Sequence, residues 1–402
     1  MTRFLAALAL LASLGACGRS RAAAPPPEPP RLTLVAVGDI LMHQDVKAAA
    51  AQSPGGFPAL WADLVPLFQG ADVAFGNLET PVAPATGRPG VPFQFNAPEG
   101  LPGALRASGF TVLSTANNHA FDQGPKGVAE TLERLRAQQL VALGSGEDRA
   151  RAEALQVVAC RGFRVAFLGF TDLFNLDLNR RADQPWVRPL DLEPALAAVR
   201  DARAQADLVV VSVHWGNEYQ RQPTRRQREL ARALVGAGCD LVLGHHPHVL
   251  QPVEALEAGD RRGLVAYSLG NFISNQDRTY RAAEDPVAAG DSRDGAALQV
   301  RFERDAEGRA VVREALVEPL WTLNNWGQGA PRDIRVIRVG AAEAALRAEV
   351  ERLSDPREGP RAQSDPAVRR RLILDRQERL RTLLLRRRRV AEVVGAPFVR
   401  SD

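Results

Sequence analysis

Asp240-Leu241-Val242-Leu243-Gly244-His245-His246-Pro247-His248 reads as a buried strand that runs straight into a histidine-rich turn. Four of the five residues before the histidines are apolar or small, the pattern of a strand covered on both faces and therefore of a parallel sheet. In an open α/β sheet ligands gather at the carboxyl ends of the strands, so these imidazoles arrive where chemistry is done. Pro247 stiffens the turn and lets the rings of His246 and His248 face one point. Taken alone, the stretch also suits three histidines on a surface loop.

The six histidines of the chain are His43, His119, His214, His245, His246 and His248. Each lies within a few residues of a Gly, Asn or Asp at the expected end of an apolar strand. Leu32 to Val37 is stopped by Gly38-Asp39, and Asp72 to Phe75 ends in Gly76-Asn77-Leu78-Glu79. Phe110 to Ser114 leads to Ala116-Asn117-Asn118-His119, with Asp122 just beyond. Leu208 to Val213 ends in His214-Trp215-Gly216, and Gly263 to Leu269 ends in Gly270-Asn271-Phe272. Helices are expected over 46–52, 59–68, 125–138, 193–203 and 225–235, with Pro125 at a first turn. The Pro- and Gly-rich residues 80–98 read as a loop near one strand end. Paired strands over 155–159 and 164–170, and alternating ones over 296–302 and 310–318, complete a layered α/β sandwich. Two further helices are expected over 341–354 and 366–394.

The chain holds 402 residues, 45% apolar and 24% charged, enough for one large α/β core or two ordinary ones, and excludes a disordered protein. Its net charge of +4 belongs to the end of the chain: residues 340–402 carry fifteen Arg against ten Asp and Glu, +5, which leaves −1 for the rest. Arg369 to Arg371 and Arg386 to Arg389 suit the solvated face of a helix that packs Leu372, Leu380, Leu383 and Leu384 on the domain. They also suit an electrostatic landing surface for a polyanion or anionic headgroups. At the other end, Thr2-Arg3, an apolar run from Phe4 to Leu14 and Leu14-Gly15-Ala16-Cys17 form a secretory signal too short to span a membrane stably. Its end resembles the lipobox of bacterial lipoproteins, which makes Cys17 the lipid anchor. The expected organisation is a signal over 1–17, a Pro-rich spacer over 18–30, a catalytic-type domain over 31–339 and an Arg-rich helical extension over 340–402. Cys160 and Cys239 lie in or beside apolar strands and read as buried thiols.

Collected from the strand ends, the polar groups are Asp39, Glu79, Asn118, His119, His214, His246 and His248. Two carboxylates, an amide and three or four imidazoles suit a pair of divalent cations, one carboxylate bridging and open positions left for water and substrate. Two metals about 3.5 to 4 Å apart activate a bridging water and stabilise attacking and leaving oxygens. One histidine is then free to protonate the leaving group.

Val37-Gly38-Asp39, Gly76-Asn77-Leu78-Glu79, Ala116-Asn117-Asn118-His119, His214-Trp215-Gly216, Gly244-His245-His246-Pro247-His248 and Tyr267-Ser268-Leu269-Gly270-Asn271-Phe272 occur in this order. Together they resemble the CapA family, the poly-γ-glutamate capsule biosynthesis proteins related to calcineurin-like metallophosphoesterases. The resemblance spans residues 31 to about 320. It implies a four-layer α/β sandwich, here with C-terminal helices, and a dinuclear site of Mn, Zn or Fe at the strand ends. By the same resemblance Asp39 opens the first metal shell, Glu79 stands at the bridging carboxylate and Asn118 is the metal-binding amide. His214, His246 and His248 match the later ligands, His246 being chosen over His245 because it keeps the His-X-His spacing. His119 matches the leaving-group acid, and Asn77, Asp122, His245 and Asn271 are placed beside the substrate. The superfamily's first motif has a histidine two residues after its Asp, where this chain has Leu41, with His43 two further on.

Two functions follow. One is an exported, lipid-anchored, metal-dependent hydrolase facing the periplasm or the cell exterior and acting on poly-γ-glutamate, another envelope polymer or a phosphoester. The other is a non-catalytic polymer-binding or assembly factor of a capsule synthesis complex. Capsule synthesis proteins and the membrane are the expected partners, and nucleic acid is not.

Overall fold

The computed structural model describes residues 30–325, 333–355 and 365–399. The expected signal, Cys17 and nearly all of the spacer lie outside these residues. Strand β1 (Arg31–Ile40) shows how the layers are made. Its alternate residues Leu32, Leu34 and Ala36 enter one hydrophobic cluster, while Val35 and Val37 enter another on the opposite face. A strand buried on both sides needs apolar residues facing both layers, which Leu32, Leu34, Val35, Ala36 and Val37 supply.

The strands after β1 are β2 (Val73–Leu78), β3 (Val112–Ser114), β4 (Val141–Leu143), β5 (Ser145–Gly146), β6 (Gln156–Cys160), β7 (Phe163–Thr171) and β8 (Trp186–Val187). There follow β9 (Leu208–His214), β10 (Leu241–His245), β11 (Val253–Ala258), β12 (Arg261–Ala266) and β13 (Asn271–Ile273). The last are β14 (Asp294–Arg304), β15 (Ala310–Asn324) and β16 (Ile334–Arg338). The first sheet runs β16-β15-β14-β1-β2-β3-β4, with β13 also paired to β1. The second runs β11-β12-β10-β9-β7-β6, and β5 pairs β8 in a small ribbon.

The two sheets face each other across Leu32, Phe75, Phe167, Val210, Leu243 and Leu298. Helices α1 (Gln44–Gln52), α2 (Val65–Gln69) and α3 (Leu101–Ser108) cover the outer face of the first sheet through Val46, Phe68 and Leu105. Helices α6 (Leu192–Gln205) and α7 (Arg225–Ala237) cover the second through Val199 and Leu234. The result is a four-layer α/β sandwich, the architecture implied by the motifs. Helix α4 (Gly124–Ala137) and the short α5 (Arg149–Glu153) flank it. The single helix expected over 59–68 is divided into a 3-10 segment, Phe57–Leu64, and α2. Pro66 at the start of α2 lacks the N–H that a continuous helix needs, and Trp61 leaves helical geometry at φ −139°.

Helices α8 (Val339–Ser354) and α9 (Pro366–Val394) close the fold. The side α9 turns inward is Leu383, Arg386, Val390 and Val394, while Leu384 is exposed. This corrects the expectation that Arg386 belongs to a solvated or polyanion-binding face: it is fully buried, between Asp291 and Asp294. Arg387, Arg388 and Arg389 pair with Glu343, Glu392 and Asp291. Cys239 is buried and Cys160 half-buried, both as free thiols. No helix of the described residues is long and apolar enough to cross a membrane.

Candidate metal centre

Strand register assembles the site. In the first sheet Asp39 pairs with Asn77 of β2 on one side and Asn271 of β13 on the other. In the second, His214 of β9 sits between Thr171 of β7 and His245 of β10. Two glycines allow the close approaches this requires. A Cβ on Gly38 would stand 1.8 Å from the Gly270 carbonyl oxygen, and one on Gly244 would stand 2.0 Å from that of Tyr267. Beyond β10 the turn is held in left-handed backbone at His246 (φ 96°) and His248 (φ 58°), strain of a kind that clusters at functional sites. It brings the rings of His246 and His248 to 5.7 Å and those of His214 and His246 to 4.8 Å.

Asp39, Glu79 and His214 place ligand atoms within 4.8 Å of one another, and so do Glu79, His246 and His248. Glu79 is common to both groups. Its Oε1 lies 3.6 Å from His214 Nε2 and 3.7 Å from His248 Nε2. That oxygen and His246 Nδ1 are buried without a hydrogen-bond partner, which is what a site built to take a cation leaves open. Asn118 directs its Oδ1 to within 2.9 Å of His214 Nε2. The donor set of carboxylate, amide and imidazole fits Mn, Zn or Fe. Neither His43 nor His245 belongs to the two groups. His43 Nδ1 instead accepts from the Asn275 backbone N–H at 3.4 Å, and its ring lies 5.0 Å from that of Phe95. Leu41 is buried and apolar, and contributes no ligand.

Charge in the site is divided unevenly. Burial alone would lift the Asp39 carboxyl, but His245 and His248 beside it hold it well below the usual carboxylate range. Glu79 moves the other way, raised first by burial and then by the charge of Asp39. Burial and the neighbouring imidazole of His246 push His214 down. Burial and His248 push His246 down to about 4. Both imidazoles are thus neutral at pH 7, the form that binds metal.

His119 stands at the edge of this group, 7% exposed. Its Nδ1 lies 2.8 Å from Asp122 Oδ2, and the Phe95 ring covers it at 4.5 Å. Asp122 also accepts from the Phe95 backbone N–H at 2.6 Å, tying dyad and cover together.

The four residues expected beside the substrate take a different place. Asn77, His245 and Asn271 are buried, the side chain of Asp122 is 2% exposed, and Asn77, Asp122 and Asn271 bond other site residues. Asn77 Nδ2 donates to Asp39 Oδ1 at 2.8 Å and to Glu79 Oε2 at 3.3 Å. His245 lies behind Asp39, its Nδ1 3.3 Å from Asp39 Oδ1.

Asn175, outside every motif of the sequence, also enters the site. Its Oδ1 accepts from Asn118 Nδ2 at 3.2 Å, which turns the Asn118 carbonyl oxygen toward His214. Its own Nδ2 lies 3.4 Å from His119 Nε2. Asn175 follows the end of β7 at Thr171, so the rule that found the other strand ends reaches it too.

Comparison with known proteins agrees with the motifs. Residues 33–276 match the family described as "Bacterial capsule synthesis protein PGA_cap". The PGA biosynthesis protein CapA of Bacillus subtilis (strain 168) is 34% identical over 279 residues, 69% of each chain. The capsule biosynthesis protein CapA of Bacillus anthracis is 35% identical over 254 residues, 61% of this chain and 60% of that protein. Among solved structures, the 5'-nucleotidase precursor of Thermus thermophilus aligns over 80% of this chain and 58% of its own, at 17% identity and a TM-score of 0.45. With more than half of its length matched, this chain belongs to the bacterial capsule synthesis family PGA_cap.

Proposed function

We propose that the protein is a divalent-metal-dependent hydrolase of the cell envelope, acting on an anionic polymer such as poly-γ-glutamate or on a phosphoester. One observation carries the reading: Glu79 is shared by two ligand groups that keep unpartnered buried donors. Asp39, Glu79, Asn118 and His214 would hold one cation, and Glu79, His246 and His248 a second. Such a pair, when bound, acidifies a water and stabilises developing charge on the substrate's oxygens. The chain's own residues do the rest. Asp122 fixes the His119 ring through Nδ1, leaving Nε2 to give a proton to the leaving group. Phe95 and Asn175 hold that ring from two sides and keep bulk water from it. Lipidation of Cys17 would tether the domain outside the cytoplasm, within reach of capsule synthesis proteins and the nascent polymer.

A second reading, polymer binding without turnover, is favoured by the buried Leu41 where the superfamily's first motif carries a histidine. Elemental analysis of the purified protein, followed by assays on a generic phosphodiester and on poly-γ-glutamate with Mn²⁺ or Zn²⁺, separates the two. Metal with turnover supports the hydrolase. Metal and polymer binding with no turnover on either substrate supports the second reading, and absence of bound metal after reconstitution overturns the first.

A further inference from the structure

Asn271 fixes the ring of His248. Its Nδ2 donates to the carbonyl oxygens of Ser292 at 2.8 Å and His248 at 3.3 Å, and to Gln276 Oε1 at 2.8 Å. Backbone carbonyls only accept, so the amide cannot be reversed, and its Oδ1 stays 3.1 Å from His248 Nδ1. The other neighbour of that nitrogen is Asp39 Oδ2, also an acceptor, at 3.1 Å. Nδ1 therefore carries a proton, and Nε2, facing Glu79, is the nitrogen left to bind a cation.

The Ser292 carbonyl is held in turn from the far end of the chain. The guanidinium of Arg386, on α9, grips the segment that contains it at three places. Nη1 donates to the Val287 carbonyl at 2.7 Å, Nη2 to Asp291 Oδ1 at 3.0 Å, and Nε to Asp294 Oδ1 at 2.9 Å. A further bond runs from Nη2 to Asp294 Oδ2, and the group lies 4.8 Å from the centre of the Trp321 ring. Arg389 reinforces the hold on Asp291, while Ser292 itself donates through N and Oγ to Asp277 Oδ2. A fully buried ion cluster is a poor source of stability, because the desolvation of its charges offsets their attraction, and apolar residues of similar volume serve as well. What it supplies is placement: a planar fork fixes two carboxylates and a carbonyl in one geometry. Helix α9 lies beyond the residues 33–276 that match the family.

We propose that Arg386 is a positioning residue for the metal centre, acting through the Val287–Asp294 segment, Ser292 and Asn271 to hold His248 as its Nδ1–H tautomer. For its consequence on metal binding the proposal rests on the metal-centre reading; the tautomer itself does not.

The test uses the full chain, labelled with 15N and free of metal, with His248 identified in long-range proton–nitrogen spectra by the signals lost in His248→Gln. The native protein should show His248 as a single Nδ1–H tautomer. Arg386→Met should give mixed tautomers, and titration with Mn²⁺ or Zn²⁺ alone should show affinity lowered about tenfold, the lower end for residues that orient a metal ligand. Arg386→Lys, which keeps the charge but not the fork, should recover part of both. If Arg386→Met does not fold, Asp291→Asn carries the test in the same direction. A folded variant with native His248 signals and native metal affinity overturns the proposal and leaves Arg386 as a staple for α9. Native protein that binds no metal, yet shows the tautomer and its loss in the variant, overturns the metal-centre reading and leaves the link from Arg386 to His248 standing.

Discussion

His119 and His214 are both imidazoles at strand ends, and their surroundings assign them different work. His214 lies among Asn77, Glu79 and Asn118, whereas His119 is turned to Asp122 and Phe95. His214→Ala should therefore lose bound metal by elemental analysis. His119→Ala should keep its metal and lose about 10² to 10⁴-fold in turnover, the usual contribution of a general acid. Full metal in His214→Ala, or unchanged turnover in His119→Ala, would contradict these roles. The pH dependence of metal uptake separates the ligands further. Glu79 is raised by burial and by Asp39, so in the empty site a proton competes with a cation for it above the usual carboxylate range. His246, pushed down to about 4, and His214, also lowered, hold none near neutrality. Affinity should thus climb about tenfold per pH unit while Glu79 titrates and then level off, a slope of about one proton. A slope of two or more in competition titrations would mean that a second group also releases a proton when the cation binds. The candidate ligands were legible because each lies at or just beyond the end of an apolar strand. Asn175 was less so, because it lies four residues beyond the end of β7 in a stretch without a histidine or a motif glycine, and the contacts of Asn77 and Asn271 with Asp39 and His248 depend on pairing between strands far apart in sequence.

At the scale of elements, the Pro- and Gly-rich loop over 80–98 is stapled to α4 by one carboxylate. Glu130 accepts from the backbone N–H of Ala85 at 3.1 Å and of Thr86 at 2.7 Å, from Thr86 Oγ1 at 2.7 Å, and from Arg134 Nε at 2.7 Å. Burial would raise its pKa, but these donors bring it from the ordinary 4.5 to about 2. A carboxyl lowered in the folded state stabilises above its unfolded pKa and loses that contribution as pH falls through the folded one. Glu130→Gln should therefore cost about 3 kcal/mol at pH 7. Urea unfolding at pH 3 should show a gap of about half that, and an equal gap at both pH values would put the effect on packing instead. The loop also carries Phe95, so the same variant should loosen the cover over His119. Most elements followed from periodicity, β1 and β9 above all, since a run of apolar residues bounded by Gly or His admits little else. The division of the expected helix over 59–68 did not, although Pro58 and Pro66 each stand at the start of a helical segment and mark it in retrospect.

For the whole molecule, the charge of the C-terminal helices was visible in composition but its use was not. Sequence shows how many arginines there are, and only the tertiary fold shows that Asp291 and Asp294 receive one of them inside the core. The proposed attachment to the membrane belongs to the other terminus. Cys17→Ser should move the protein from the membrane fraction to the soluble one, because the lipid would have no sulfur to join. Unchanged fractionation with normal secretion would count against a lipoprotein.

The place of β1 has a consequence for the order of events in folding. Its neighbours are β2 on one side and β14 on the other, and Leu34 lies opposite Val300. This strand, the first of the described residues, waits for a partner more than 250 residues later, so its edge stays bare until most of the chain exists. Long-range pairing of this kind folds slowly, and an unpaired apolar edge invites pairing with another chain. A chain ending before β14 should accumulate as aggregates, whereas one missing only residues 400–402 should refold to monomer, as sedimentation after dilution from denaturant would show.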